Sequence, residues 1–109
     1  MENAYNELDK TLTKLAIDWN EIEWGHISCN NKEALLKPGY TKEDLEKYKG
    51  AIERIGDYDN GFGCQKLFGV VVFKDGTWLE RREYDGSEWW NYSYKPTYEA
   101  FIKDSGENK

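Results

Sequence analysis

The sequence predicts an α+β domain, an antiparallel β-meander over about 66–94 packed by two to three helices. Three observations lead there. Apolar residues recur at steps of three and four in two separate stretches, the spacing of one buried helix face. Two Asp-Gly dipeptides, Asp75-Gly76 and Asp85-Gly86, divide a strand-rich stretch, and Asp-Gly accepts the positive φ angles of a hairpin turn. The chain of 109 residues is long enough for one modest core, whereas two domains would each bury too little surface.

In chain order, Tyr5, Leu8, Leu12 and Leu15 form the apolar stripe of a helix over 3–16. The period then changes. Ile22, Trp24, Ile27 and Cys29 predict an extended stretch interrupted at Gly25, and the Asn30-Asn31 turn signal returns it as a short strand near 33–36. Pro38-Gly39 has the chemistry of a type II turn. Thr41 stands at an N-cap position ahead of Glu43 and Asp44, opening a helix over 42–54 whose stripe is Leu45, Tyr48, Ala51, Ile52 and Ile55. Gly50 inside that helix costs about 1 kcal/mol relative to Ala, which suggests a close packing contact there. Residues 56–63 read as loop.

Two-residue turns at both Asp-Gly sites set a register. Phe73 faces Trp78 and Val72 faces Leu79 in the first hairpin; Tyr84 faces Ser87, Glu83 faces Glu88, Arg82 faces Trp89 and Arg81 faces Trp90 in the second. One face then carries Phe68, Val70, Val72, Leu79, Trp90, Tyr92 and Tyr94, and reads as the core. The other carries Val71, Phe73, Trp78, Glu80, Arg82, Tyr84, Trp89 and Asn91, mixing large rings with charges as a partly exposed binding face does. The strand near Trp24 is a candidate cover for it. Pro96 ends the sheet, and Tyr98, Phe101 and Ile102 predict a short terminal helix.

Composition restricts function. With 21 acidic against 15 basic residues the formal charge is -6, the wrong sign for gripping nucleic-acid phosphates or anionic membranes. Five Trp, eight Tyr and four Phe set the chain apart from disordered acidic tails. The N-terminus has no apolar targeting segment, and the longest apolar run is Val70–Phe73, so the expected setting is the cytoplasm. Cys29 and Cys64 read as buried thiols, with a single bridge as the alternative.

The candidates for chemistry are few. His26, Cys29 and Cys64 lack a fourth zinc ligand, and His26 and Cys29, three apart on a strand, fall on opposite faces. Asp57-Tyr58-Asp59-Asn60-Gly61 places its Gly one position early for a calcium loop and lacks the closing Glu. Glu80, Glu83, Asp85 and Glu88 cluster about the second hairpin. Glu83 and Glu88 form a like-charge cross-strand pair, which Arg81 and Arg82 can neutralise unless they stack on Trp90 and Trp89. No catalytic, metal or cofactor residue is assigned. The expected binding surface is Trp78, Trp89, Glu80, Arg82, Glu83, Asp85 and Glu88, joined by Asp57 and Asp59.

The run from Phe68 to Trp90, above all Glu83-Tyr84-Asp85-Gly86-Ser87-Glu88-Trp89-Trp90, resembles a segment of small acidic phage and prophage proteins. No activity attaches to that segment, so the resemblance transfers no catalytic residue. It implies a protein that binds a host factor, and in size and charge the chain is similar to anti-CRISPR proteins. The expected function is therefore a non-enzymatic acidic binding protein that occludes a basic surface on a host nucleic-acid-handling or defence protein of the CRISPR-Cas kind. The partner is a protein, not nucleic acid or membrane, and the oligomeric state is open. The alternatives are a ligand-binding module stacking a sugar or base on its aromatic face, a phage assembly subunit, and a small enzyme using His26 with Cys64 or a carboxylate.

Overall fold

The computed structural model describes residues 2–59 and 65–94. Asn3 starts the first helix: its side-chain oxygen accepts from the Asn6 N–H at 3.0 Å, and α1 (Ala4–Lys14) follows with Ala4, Leu8 and Leu12 buried. The helix closes in a Schellman arrangement. The Ile17 N–H bonds back to the Leu12 carbonyl and the Ala16 N–H to that of Thr13, which places Ala16 at φ 59°. A single 3-10 turn, Trp19–Glu21, leads into strand β2 (Ile22–Cys29), which turns through Asn30 (φ 57°) into β3 (Lys32–Leu36).

Thr41 caps α2 (Lys42–Ile55) through a capping box. Its hydroxyl accepts from the Asp44 N–H at 3.2 Å while the Asp44 carboxylate accepts from the Thr41 N–H at 3.0 Å. The bond from the Thr41 N–H, and next the Thr41 side chain, hold the Asp44 carboxyl below its ordinary pKa. The stretch after α2 is not all loop. Asp57–Tyr58 forms a short strand, β4, antiparallel to a two-residue β1 (Glu2–Asn3) ahead of α1, and the pairing draws Tyr58 inward.

Strands β5 (Leu67–Phe73), β6 (Trp78–Tyr84) and β7 (Ser87–Ser93) form the meander, and β2 pairs with β5 to give an antiparallel sheet of order β3-β2-β5-β6-β7. The helices cover one face of it. Leu8 and Leu12 of α1, and Leu45, Tyr48, Ile52 and Ile55 of α2, share a core with Ile27, Ala34, Leu36, Leu67, Val71, Phe73, Leu79 and Trp90. No helix among the described residues is long and apolar enough to cross a membrane.

The second hairpin has the predicted register, with Asp85 (φ 52°) and Gly86 (φ 85°) forming its two-residue turn. The first does not. The Phe73 N–H donates to the Thr77 carbonyl and the Gly76 N–H to that of Phe73, so three residues, 74–76, make the loop, with Gly76 at φ 90°. The Asp75 carboxylate stabilises this longer loop by accepting from both the N–H and the hydroxyl of Thr77, at 3.0 and 2.6 Å.

One extra loop residue slides β5 by one position: Val72 lies opposite Trp78 and Val71 opposite Leu79. The slip turns every β5 side chain over. Val71 and Phe73 join Leu79 and Trp90 in the core, while Phe68, Val70 and Val72 face away from it. Tyr92 and Tyr94, assigned to the core by alternation, are exposed, as is Tyr84. Pro96, Tyr98, Phe101 and Ile102 lie outside the described residues.

Gly50 marks no close contact, since a Cβ there would meet only the Arg54 side chain, at 3.5 Å. Gly25 is crowded instead, as is Gly69, where a Cβ would run into the His26 carbonyl; at Gly25 a Cβ would run into the buried end of the Tyr48 ring and lie 3.4 Å from the Val70 carbonyl. Gly50→Ala is therefore expected to stabilise the fold by about 0.5–1 kcal/mol, and Ala16→Gly by a similar amount through relief of its left-handed backbone. Gly25→Ala is expected to destabilise by about 1–3 kcal/mol. Denaturant titration of the three variants measures all of these.

Candidate functional site

Alternation along the strands builds the face opposite the helices in rows. Trp24, Val72, Trp78 and Ser93 form one row across four strands; Leu35, His26, Val70, Glu80 and Asn91 form the next across all five. Glu33, Ser28 and Phe68 make a third, and Arg82 pairs with Trp89. None of these side chains belongs to the core. Leu35 is 54% exposed, Phe68 51% and Trp89 40%, large values for apolar side chains. Trp24 belongs to the same sheet, so its strand extends this face and does not cover it.

Four of the predicted surface residues come together here: Trp78, Glu80, Arg82 and Trp89. Arg82 donates to Glu80 at 2.7 Å, a solvated pair along one strand. Glu83 and Asp85 are exposed at the β6–β7 turn, where Glu83 accepts from the Gly86 N–H at 2.8 Å. Asp57 and Asp59 do not join them. They flank Tyr58, whose side chain enters the core from the helix side, and Asp57 accepts from the Asn3 side chain at 3.0 Å.

Glu88 requires a correction: it is buried, its side chain fully so. It lies opposite Glu83 as expected, but the two carboxylates turn to different partners. One Glu88 oxygen accepts from the Leu67 N–H at 3.0 Å and from Arg81 Nε at 3.1 Å, and the other from the Lys66 N–H at 2.7 Å. Arg81 is equally buried and donates through Nη1 to Glu7 at 3.0 Å and through Nη2 to the Tyr58 hydroxyl, which itself donates to Glu7. The guanidinium carbon lies 5.4 Å from the Tyr58 ring centre and 5.3 Å from that of Trp90. The predicted stacking of Arg81 on Trp90 is thus present, inside the core.

Glu7 and Tyr58 were not singled out by sequence, because no local pattern links α1, β4 and β6. Glu88 carried a signal. It stands two residues before Trp90 on a strand, hence on the same face.

His26 Nε2 and Glu33 Oε2 are 3.0 Å apart on the open face, whereas Cys29 is a free, buried thiol on the core face; burial, then the charge of Glu88, pushes its pKa up. Cys64 lies outside the described residues. Among the described residues, no group of three or more His, Cys, Asp or Glu side chains could hold a metal ion. No protein-family model, no curated protein and no solved structure matches this chain.

Two neighbouring arginines should respond very differently to the same change. Arg81→Met leaves Glu88 and Glu7 without their cation in the interior and is expected to cost about 3–5 kcal/mol. Arg82→Met removes a solvated pair and is expected to change stability by less than about 1 kcal/mol. Equilibrium unfolding separates them.

Tyr58 makes stability depend on alkaline pH. Burial first, and then the hydrogen bond to Glu7, raise its pKa above the ordinary 10.0. The protonated hydroxyl therefore contributes its full stability below pH 10, and that contribution falls as pH rises further, because the unfolded chain ionises first. Denaturation midpoints from about pH 9 to about pH 11 are expected to decline more steeply for the wild type than for Tyr58→Phe.

Proposed function

We propose that this chain is a non-enzymatic binding protein that docks a protein partner on the open face of its sheet. The observation that carries this reading is the set of aromatic and aliphatic side chains on that face, Trp24, Phe68, Val72, Trp78 and Trp89, with no described element packed over them. Aromatic residues beside an arginine, at the centre of a patch with a charged rim, are the composition of interface anchors. Five strands supply a rigid platform, so few side chains lose freedom on docking.

The charge supports a partner with a basic surface. Glu33 and Glu80 stand among the rings, and Glu83 and Asp85 project at the hairpin tip, within a chain of formal charge -6. Such complementarity speeds association and weakens with salt. Occlusion of a basic surface on a host nucleic-acid-handling or defence protein is the role that fits both this charge and the phage-type segment spanning the meander. Glu88 has no part in the contact, because its carboxylate is spent inside the molecule.

Immobilised protein is expected to retain a partner from bacterial host lysate at low salt and release it at high salt. Trp89→Ala should weaken retention at least about tenfold, whereas Lys47→Gln, on the exposed side of α2, should leave it unchanged. Recovery of no protein at either salt concentration, or equal retention by Trp89→Ala, would refute the proposal.

A further inference from the structure

A concave feature lies away from the open face. A cleft of about 580 Å³ runs between the 3-10 turn, Tyr40 and the first half of α2. This is the size range of small-molecule sites. Its apolar surface comes from Trp19, Tyr40 and Leu45, and both rings are anchored. Trp19 Nε1 donates to Asp9 at 2.9 Å, and the indole stacks on Tyr5 with ring centres 5.3 Å apart and planes 9° from parallel. The Tyr40 hydroxyl donates to the Ile22 carbonyl.

Each ring holds an ammonium group over it. Lys49 Nζ lies 5.2 Å from the Trp19 ring centre, and Lys74 Nζ lies 5.6 Å from that of Tyr40. The Lys74 backbone is itself tied to the 3-10 turn by a 2.8 Å bond to the Glu21 carbonyl. Lys42 lines the cleft as well. None of the three lysines makes an ion pair with a described carboxylate. The same holds for every described lysine; what sets Lys49 and Lys74 apart is the aromatic ring beneath each ammonium group. Asp18 and Glu46 also line the cleft, two carboxylates against three ammonium groups.

We infer that this cleft binds a small organic anion, a phosphate or carboxylate group carried on an apolar body. The anion would take up the charges of Lys49 and Lys74, and the apolar body would cover Leu45 and the exposed parts of the two rings. The aromatic faces keep the lysines in place without neutralising them, so little ordering of side chains is required when the ligand arrives.

Amide and indole NMR titrations of the full chain with phenyl phosphate, benzoate and phenol test this. At least one anion is expected to give saturable shifts confined to Trp19, Tyr40, residues 42–49 of α2 and Lys74, binding at least about tenfold more tightly than phenol. Which anion saturates identifies the head group. The Lys49→Gln/Lys74→Gln double variant, with its folding verified by the same spectra, is expected to bind the anion no better than phenol. Absence of saturation by both anions up to about 20 mM would overturn the inference. So would phenol binding as tightly as the anions, shifts centred elsewhere, or undiminished anion binding by the double variant.

Discussion

A guanidinium with no exposed surface must be satisfied where it stands, and Arg81 is satisfied from four directions. Glu88 and Glu7 supply its counter-charges, the Tyr58 hydroxyl accepts a third bond, and two rings pack against it. The partners come from three different elements. Glu7 lies on α1, Tyr58 on β4 and Glu88 and Trp90 on β7, while Glu88 also caps the backbone at the entry to β5. Removing one charge from such a group leaves the others buried and unpaired, which costs far more than the pair contributes at a surface. The far half of the sheet is therefore held by a polar cluster, whereas α2 packs chiefly on β3.

This constraint also decides what faces outward. With Arg81 pointing in, its neighbours Glu80 and Arg82 must point out, and Trp78 with them. On β7 the inward Glu88 and Trp90 leave Trp89 outside. The open face is thus the reverse side of the ion cluster, and its stiffness derives from the same bonds. The lysine-lined cleft is built differently. Its cations rest on aromatic rings and have no described carboxylate partner. One protein thus buries a neutralised arginine and keeps un-neutralised lysines at its surface.

Local signals in the sequence were sufficient for the helices and most strands. The stripes Leu8–Leu12 and Leu45–Tyr48–Ile52, the Thr41 cap and the Asp85-Gly86 turn each act within a few residues, and the structure has all of them. The loop length of the first hairpin is not legible in the dipeptide, because Asp-Gly serves equally well in a three-residue loop, and the Thr77 bonds that select that loop are a matter of side-chain geometry. From that one residue followed the inverted placement of Val71 and Phe73. At the site, Trp78, Trp89, Glu80 and Arg82 were legible from the second hairpin alone. The roles of Glu7 and Tyr58 were not, since they depend on contacts spanning 74 and 23 residues to Arg81. For Glu88 the charge points to the surface, whereas its strand phase with Trp90 points to the core, and the phase decides.

The central claim is that adjacent tryptophans of β7 look in opposite directions, Trp89 to solvent on an open face and Trp90 into the core against Arg81. Solvent paramagnetic relaxation of the indole N–H signals in the intact chain tests it directly. The account predicts strong broadening of the Trp89 signal by a soluble paramagnetic agent and a protected Trp90 signal. A protected Trp89 indole, or a Trp90 indole broadened as strongly as Trp89, would contradict it.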